Sequence, residues 1–78
     1  MSHENSAEAQ RDRLLNALRC GAVTTIQARR DLDIMMPAAR VHELRHREGH
    51  NIATVWCTEP TDNGALHRVA RYVLVSGA

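Results

Sequence analysis

The segment from Pro37 to Gly49 constrains the fold most, because each of its ends carries a strong helix signal. Proline suits the first turn of a helix, where its missing N–H is not needed, and glycine commonly follows the last turn. The apolar residues between these ends recur at helical spacing: Ala38, Val41 and Leu44. We therefore expect a helix over residues 37–48, with one side packed into a core and the other facing solvent.

A longer helix is predicted near the N-terminus. Asn5 is a suitable N-cap, and Glu8, three residues later, completes the pattern of a capping box. The helix should run to Arg19, because Gly21 then supplies a stop signal. Its apolar residues fall on one stripe: Leu14, Leu15 and Leu18.

A short second helix is predicted between these two. Thr24 or Thr25 is a good cap for it, and we expect it to extend to Leu32. Ala28 lies one turn before Leu32 on the same face, and Ile34 follows in the turn. The first 48 residues therefore contain three predicted helices.

The spacing of apolar residues along the sequence changes after the third helix. The segments His50–Thr58 and Leu66–Val75 are rich in β-branched and aromatic residues, and the turn formers EPTDNG between them place Asn63 and Gly64 at the expected tip. This pattern predicts a two-stranded hairpin. Because a lone hairpin is marginally stable in water, it should pack on the helices through these side chains: Ile52, Trp56, Tyr72 and Leu74.

The order of elements predicts an α+β fold, mainly α, in which three helices are followed by a two-stranded hairpin. A chain of 78 residues has room for one such domain. We assign residues 1–6 to a flexible N-terminus, residues 7–75 to the domain and residues 76–78 to a C-terminal tail.

The sequence contains no signal for membrane insertion or secretion. No stretch approaches the roughly 20 apolar residues that cross a bilayer, and the N-terminus lacks the basic flank and apolar run of a secretory signal. Cys20 and Cys57 form no close pair, and their apolar surroundings favour core packing over a disulfide or a reactive thiol. We therefore expect a cytoplasmic protein.

Enzymatic and metal chemistry are not expected. The hydroxyl residues lack a glycine elbow, no glycine-rich loop is present to hold phosphate, and the acids form no obvious catalytic pair. His42, His46 and His50 repeat at a spacing that can chelate a metal, but nothing nearby in sequence completes the ligand set, and only Cys57 could approach through the hairpin. The prediction is a protein without catalytic residues, metal or cofactor.

Charge is unevenly distributed along the chain, although the formal net charge is only +1. Subtracting acids from arginines gives 0 for residues 1–28, +2 for 29–47, −3 for 48–63 and +2 for 64–78. All ten basic residues are arginine, which a GC-rich genome or a need for planar donors to guanine and phosphate can each explain. Local clustering, rather than net charge, is therefore the feature that favours a polyanionic partner.

The residues TTIQARRDLDIMMPAARVHELRHREGHNI resemble the helix-turn-helix of small winged DNA-binding domains from bacteria and phages, and the resemblance extends over residues 10–74. In the basic helix-turn-helix the apolar anchors lie about four, two, five and three residues apart, and winged relatives tolerate a longer turn. Here the spacing is four, two, seven and three between these anchors: Ala28, Leu32, Ile34, Val41 and Leu44. The turn is therefore two residues longer, and Asp33 stands where glycine is favoured.

The resemblance implies a winged helix-turn-helix fold, with the third helix in the major groove of double-stranded DNA and the wing, residues 59–68, along the backbone. It nominates these base-reading residues, in order of preference: Arg40, Ala39, Glu43, Met36 and His46. It nominates these phosphate ligands: Arg29, Arg30, Arg47, His67 and Arg68. Arg40 could contact guanine or could only pair with an acid such as Glu43. Arg45, near the edge of the core, is expected to be structural.

The hypothesis from this resemblance is a small transcriptional regulator of a bacterium, phage or mobile element that binds double-stranded DNA sequence-specifically. A module of this size needs more contacts than it can make alone, so we expect a homodimer or side-by-side assembly through the first helix or the strand face of Val69 and Val73. Two alternatives stay open. One is an excisionase-like architectural DNA binder, and the other is a protein–protein adaptor, favoured by the low net charge, the acidic stretch 48–62 and Glu43.

Overall fold

The computed structural model describes residues 5–61 and 63–75. Its elements follow in this order: α1 (Ala7–Cys20), β1 (Val23–Thr24), α2 (Thr25–Asp31), α3 (Pro37–His46), β2 (Ile52–Pro60) and β3 (Leu66–Leu74). The helices α1 and α2 pack against β3 of a three-stranded antiparallel sheet with strand order β1-β3-β2, and α3 packs on α1 and α2. Residues 1–4 of the predicted N-terminus and the predicted tail 76–78 lie outside the described residues.

The start of α1 differs by one residue from the prediction. Ser6, not Asn5, is the N-cap, and its hydroxyl accepts a hydrogen bond from the Ala9 N–H at 3.1 Å. The predicted capping box of Asn5 and Glu8 is therefore wrong. Asn5 instead donates its side-chain amide N–H to the carbonyl of Asp33 at 3.2 Å, which ties the start of α1 to the turn before α3.

The start of α2 confirms the prediction of a threonine cap. The Thr24 hydroxyl accepts from the Gln27 N–H at 3.1 Å, and the Thr24 N–H donates to the Gln27 side chain at 2.9 Å, so both halves of a capping box form. After α2, Asp33 has a φ of 55°. This left-handed conformation explains why most helix-turn-helix motifs place glycine at the equivalent position.

The helix α3 begins at Pro37, as predicted, but it ends at His46, two residues before the predicted end. Gly49, with a φ of 73°, turns the chain towards β2. The prediction that Ala38 packs in the core is wrong, because Ala38 is exposed. Pro37 takes its place, since it lies one turn before Val41 on the same row of the helix.

The predicted two-stranded hairpin is present, but the sheet contains a third strand that the sequence did not predict. The strands β2 and β3 pair from Ile52 opposite Leu74 to Pro60 opposite Leu66. The third strand, β1, adds to β3 with Val23 opposite Tyr72. A two-residue strand is too short to show the apolar–polar alternation that predicts strands from sequence. It is recognised only by its pairing with β3, which is distant in the sequence. Gly64 has a φ of 84° at the predicted tip.

A single apolar core joins the three helices to the inner face of the sheet. Its buried members are these: Leu14, Leu15, Leu18, Val23, Ala28, Ile34, Val41, Leu44, Ile52, Ala70 and Tyr72. Leu74 packs against this core, as predicted. Trp56 does not, because it is 57 % exposed where the hairpin extends beyond the helices. The core prediction for Cys20 is also wrong, since it is exposed at the end of α1, while Cys57 is half-buried.

Candidate functional site

The solvent-facing side of α3 and the turn before it form one continuous surface. It consists of five exposed residues, which we call the exposed α3 face: Met35, Met36, Ala38, His42 and His46. Ala38, His42 and His46 lie four residues apart and therefore share one row of the helix. The rings of His42 and His46 contact each other, with their centroids 4.3 Å apart and a tilt of 46°.

The predicted base-reading residues divide into two groups. Met36 and His46 belong to the exposed α3 face, and Ala39 is half-buried beside it. Arg40 and Glu43 lie on the side of α3 that faces α1. The Arg40 Nε atom is 3.1 Å from a Glu43 carboxylate oxygen, and the Arg40 side chain is only 18 % exposed. Of the two roles open to Arg40, the ion pair is therefore present, and base contact stays a prediction.

A network of ion pairs connects α3 to α1. Arg11 donates one N–H to Glu43 at 3.0 Å and another to Glu48 at 3.2 Å. The Nε atom of Arg40 is buried and close to the same Glu43 oxygen, but its N–H is not aligned for a hydrogen bond. The contact between Arg40 and Glu43 is thus a charge attraction, whereas Arg11 makes the directional bonds.

The protonation of this network follows from its contacts. The hydrogen bond from Arg11, assisted by the charges of Arg40, Arg11 and Arg47, lowers the pKa of Glu43, and desolvation opposes this effect only in part. The same bond raises the pKa of Arg11. Glu43 is therefore a charged carboxylate whose negative charge is balanced by arginines at the α1–α3 contact. The five residues of the exposed α3 face include no acidic residue.

Arg13 fixes the position of the turn that precedes α3. Arg13 of α1 donates to the Leu32 carbonyl at 2.8 Å and to the Asp33 carbonyl at 3.5 Å, and it also contacts the Asn5 side chain. It therefore holds the turn between α2 and α3 in place. Sequence reasoning missed both Arg11 and Arg13, although their positions beside the stripe of Leu14 could have indicated a contact role.

Arg45 performs the equivalent task on the other side of α3. It donates to the Ile52 carbonyl at 2.8 Å and to the Thr54 hydroxyl at 2.7 Å, so it joins α3 to the first three residues of β2. This confirms the prediction that Arg45 is structural. The recognition-helix candidate is thus held by side-chain bonds to α1 on one flank and to the hairpin on the other.

The predicted phosphate ligands are all exposed: Arg29, Arg30, Arg47, His67 and Arg68. Arg29 donates to the Met35 carbonyl at 3.2 Å, which places its guanidinium beside the exposed α3 face. Arg30 is 3.3 Å from Asp31 in a solvent-exposed pair. Phosphate contact by any of these residues stays a prediction.

The hairpin extends the surface of α3. Trp56 lies opposite Ala70, and both share the inner face of the sheet with the core residue Tyr72. Arg68, two residues before Ala70, shares this face, and its guanidinium lies 4.9 Å from the centre of the Trp56 ring. His67 alternates to the outer face, so the predicted pair His67 and Arg68 does not share one face of the hairpin.

An open groove of about 470 Å³ separates the hairpin from the helices. Arg29 and Ala38 line its helical side, and Trp56 and Arg68 line its hairpin side. The groove therefore connects the exposed α3 face to the inner face of the hairpin. Three of the predicted phosphate ligands line it, Arg29 from α2 and His67 and Arg68 from β3.

Metal and membrane features can be stated for residues 5–61 and 63–75. Within them, no group of three or more histidine, cysteine or acidic side chains is arranged to hold a metal ion. His50 lies beside Glu48 at 3.9 Å rather than beside the His42 and His46 pair. None of the helices in this part of the chain is both long enough and apolar enough to span a bilayer.

Comparison with known proteins identifies the family. A family model described as a winged helix-turn-helix domain matches residues 9–77, which is most of the chain. No curated protein and no solved structure gives a significant match. The matched region contains α1 from its third residue onward, α2, α3 and the β2–β3 hairpin that follows them. The chain therefore belongs to the family of winged helix-turn-helix domains.

Proposed function

We propose that the protein binds double-stranded DNA in a sequence-specific manner and acts as a small cytoplasmic regulator of transcription. The observation that carries this proposal is the separation of charges around α3. Its acidic residue Glu43 is turned towards α1 and paired with Arg11, while the exposed α3 face has arginines at its margins. A surface without free carboxylates can approach phosphates closely.

The proposed complex uses one helix of the domain as the reading element. The major groove of B-DNA is about 12 Å wide and admits one α-helix. In the proposed complex α3 enters that groove, while Arg29 and Arg68 reach the phosphates on the side of the hairpin. Arg47, at the C-terminal end of α3, is available to the phosphates of the opposite groove wall. Because Arg68 already lies over the Trp56 ring, its side chain loses less conformational entropy when it binds a phosphate.

Assembly of two copies on DNA is part of the proposal. A single module buries roughly 600–1,000 Å² of protein surface on DNA, which limits its affinity. The apolar stripe of α1 is buried in the core, so this stripe has no apolar surface left for a partner. The outer face of the hairpin is better suited, because Val55 is 40 % exposed there and Val69 and Val73 are half-buried. We therefore favour self-pairing through this outer face.

The proposal is tested by selecting duplexes from a random pool with the purified protein. We expect an enriched motif, with repeated or inverted half-sites if two copies bind together. The affinity for the selected duplex should fall linearly with salt on a double-logarithmic plot, with a slope proportional to the number of phosphate contacts. The absence of both enrichment and salt dependence would contradict DNA binding and favour the protein adaptor.

The architectural alternative shares the same surface. An excisionase-like protein would bend its site, so the angle between the ends of the selected duplex distinguishes it from a simple regulator. This angle can be measured by energy transfer between dyes on the two ends. The proposed regulator leaves the distance between dyes unchanged, and a large shortening on binding would favour the architectural role.

A further inference from the structure

The N-terminal part of the exposed α3 face is unusually apolar for a surface turn. Met35 is 73 % exposed and Met36 is 67 % exposed, and Ala38 follows them on the surface. Their neighbours Ile34 and Pro37 are buried, so the two methionines are held outward by an anchored turn rather than displaced from the core. Most of the surface of each methionine is therefore exposed to solvent.

The residue types on this surface limit how it can recognise a base pair. Bidentate hydrogen bonds to guanine or adenine come from arginine, lysine, asparagine or glutamine side chains. None of these residues occurs on the exposed α3 face, and the nearest candidate on α3, Arg40, lies against Glu43. Apolar side chains instead contact the C5 methyl group of thymine, which projects into the major groove.

We infer that Met35, Met36 and Ala38 recognise thymine through its C5 methyl group. This inference rests on the proposed binding of DNA and names the base chemistry that the same surface reads. Methionine suits the task, because its flexible, polarisable side chain adapts to the position of a methyl group. Ala38 lets the helix approach the groove closely. The carbonyl contact from Arg29 to Met35 places a cation next to the same bases, within reach of the flanking phosphate.

The test removes the methyl group from the DNA and leaves base pairing intact. Each thymine of the selected duplex is replaced in turn by deoxyuridine, and affinity is measured by fluorescence anisotropy. At a contacted thymine we expect about fourfold weaker binding, which corresponds to the burial of one methyl group. Thymines outside the contacted positions should tolerate the replacement.

Protein variants then identify the side chain that makes the contact. In Met36→Ala or Met35→Ala, deoxyuridine at the position read by that methionine should no longer weaken binding, because the partner of the methyl group is already absent. Val75→Ala is the matched control, since it truncates an exposed apolar residue that follows β3 and does not belong to the exposed α3 face, and it should keep the full sensitivity to deoxyuridine. Both methionines are exposed, so these variants should unfold at the temperature of the original protein.

The failure of this inference differs from the failure of DNA binding. If the protein selects and binds a duplex but tolerates deoxyuridine at every thymine, methyl recognition is wrong and DNA binding stands. A sensitivity to deoxyuridine that persists unchanged in both methionine variants also overturns it. If no duplex is bound at any salt concentration, the proposed function and the inference fall together.

Discussion

Glu43 of α3 accepts a hydrogen bond from Arg11 of α1 over 3.0 Å, although the two residues are 32 positions apart in the sequence. The bond lies beside the core and connects the helix that we propose to read DNA with the longest helix of the domain. Because Arg11 also bonds Glu48, it holds α3 at both Glu43 and the segment that follows its last turn. Together with Arg13 and Arg45, this arginine therefore holds α3 in its position.

Replacing Glu43 with glutamine should lower the melting temperature at pH 7 and leave it unchanged under acidic conditions. The pKa of Glu43 is lowered in the folded protein, so the unfolded chain binds more protons between the two pKa values. The carboxylate therefore contributes its full stabilisation above the ordinary pKa, and this contribution is lost as the pH falls below about 4 through the lowered value. Thermal unfolding of both proteins from pH 3 to pH 7 measures the difference.

A matched control for this experiment is Asp12→Asn, which removes an exposed carboxylate from α1. Its melting temperature should stay close to that of the original protein throughout the pH range. A difference between Glu43→Gln and the original protein that is the same at pH 3 and pH 7 would show that the charge of Glu43 has no stabilising role.

Replacing Arg13 with alanine should destabilise the domain by about 1 to 3 kcal/mol, because the carbonyl of Leu32 loses a charged hydrogen-bond donor. The turn before α3 loses one of its connections to the start of α1 at the same time. Urea unfolding measures the effect. Arg19→Ala is the control on the same helix, since Arg19 is exposed, and we expect a clearly smaller loss. Equal losses in the two variants would contradict the role of Arg13 in holding the turn.

Local signals in the sequence were sufficient to predict most elements of the fold. Pro37 and Gly49 bound the region of α3, Thr24 caps α2, and Gly64 lies in the turn of the hairpin. Each of these residues acts through its own backbone preferences or through neighbours within three positions. Such effects are visible in the sequence without knowledge of the fold.

Features that depend on distant partners could not be predicted in this way. The strand β1 exists because Val23 pairs with Tyr72, and nothing within its two residues indicates a strand. Trp56 was expected in the core because aromatic residues are usually buried, but the hairpin extends past the helices at this point. Arg40 is a different case, since the sequence left base contact and an ion pair with an acid both open, and the structure contains the pair with Glu43.

Arg68→Ala should weaken DNA binding and reduce the slope of affinity against salt by about one phosphate contact. Arg19→Ala is the matched control, because Arg19 is exposed on α1, which belongs neither to the hairpin nor to the exposed α3 face. Its slope should be unchanged. Titrations of the selected duplex at several salt concentrations measure both slopes, and the single tryptophan, Trp56, should report binding by its fluorescence. Identical slopes for the two variants would remove Arg68 from the contact surface.

Two variants show whether Arg40 or the exposed histidines His42 and His46 contact purine bases in the proposed complex. We expect Arg40→Ala to keep the selected motif and to lower the melting temperature, because Arg40 contacts Glu43 rather than the exposed face. We expect His42→Ala to keep its stability and to lose preference at one purine, since an exposed imidazole can donate an N–H to the N7 atom of that base. Replacing the purine with its 7-deaza analogue should weaken binding by the original protein but not by His42→Ala. The opposite pattern, a relaxed motif in Arg40→Ala and an unchanged one in His42→Ala, would mean that Arg40 leaves Glu43 on binding and contacts guanine itself.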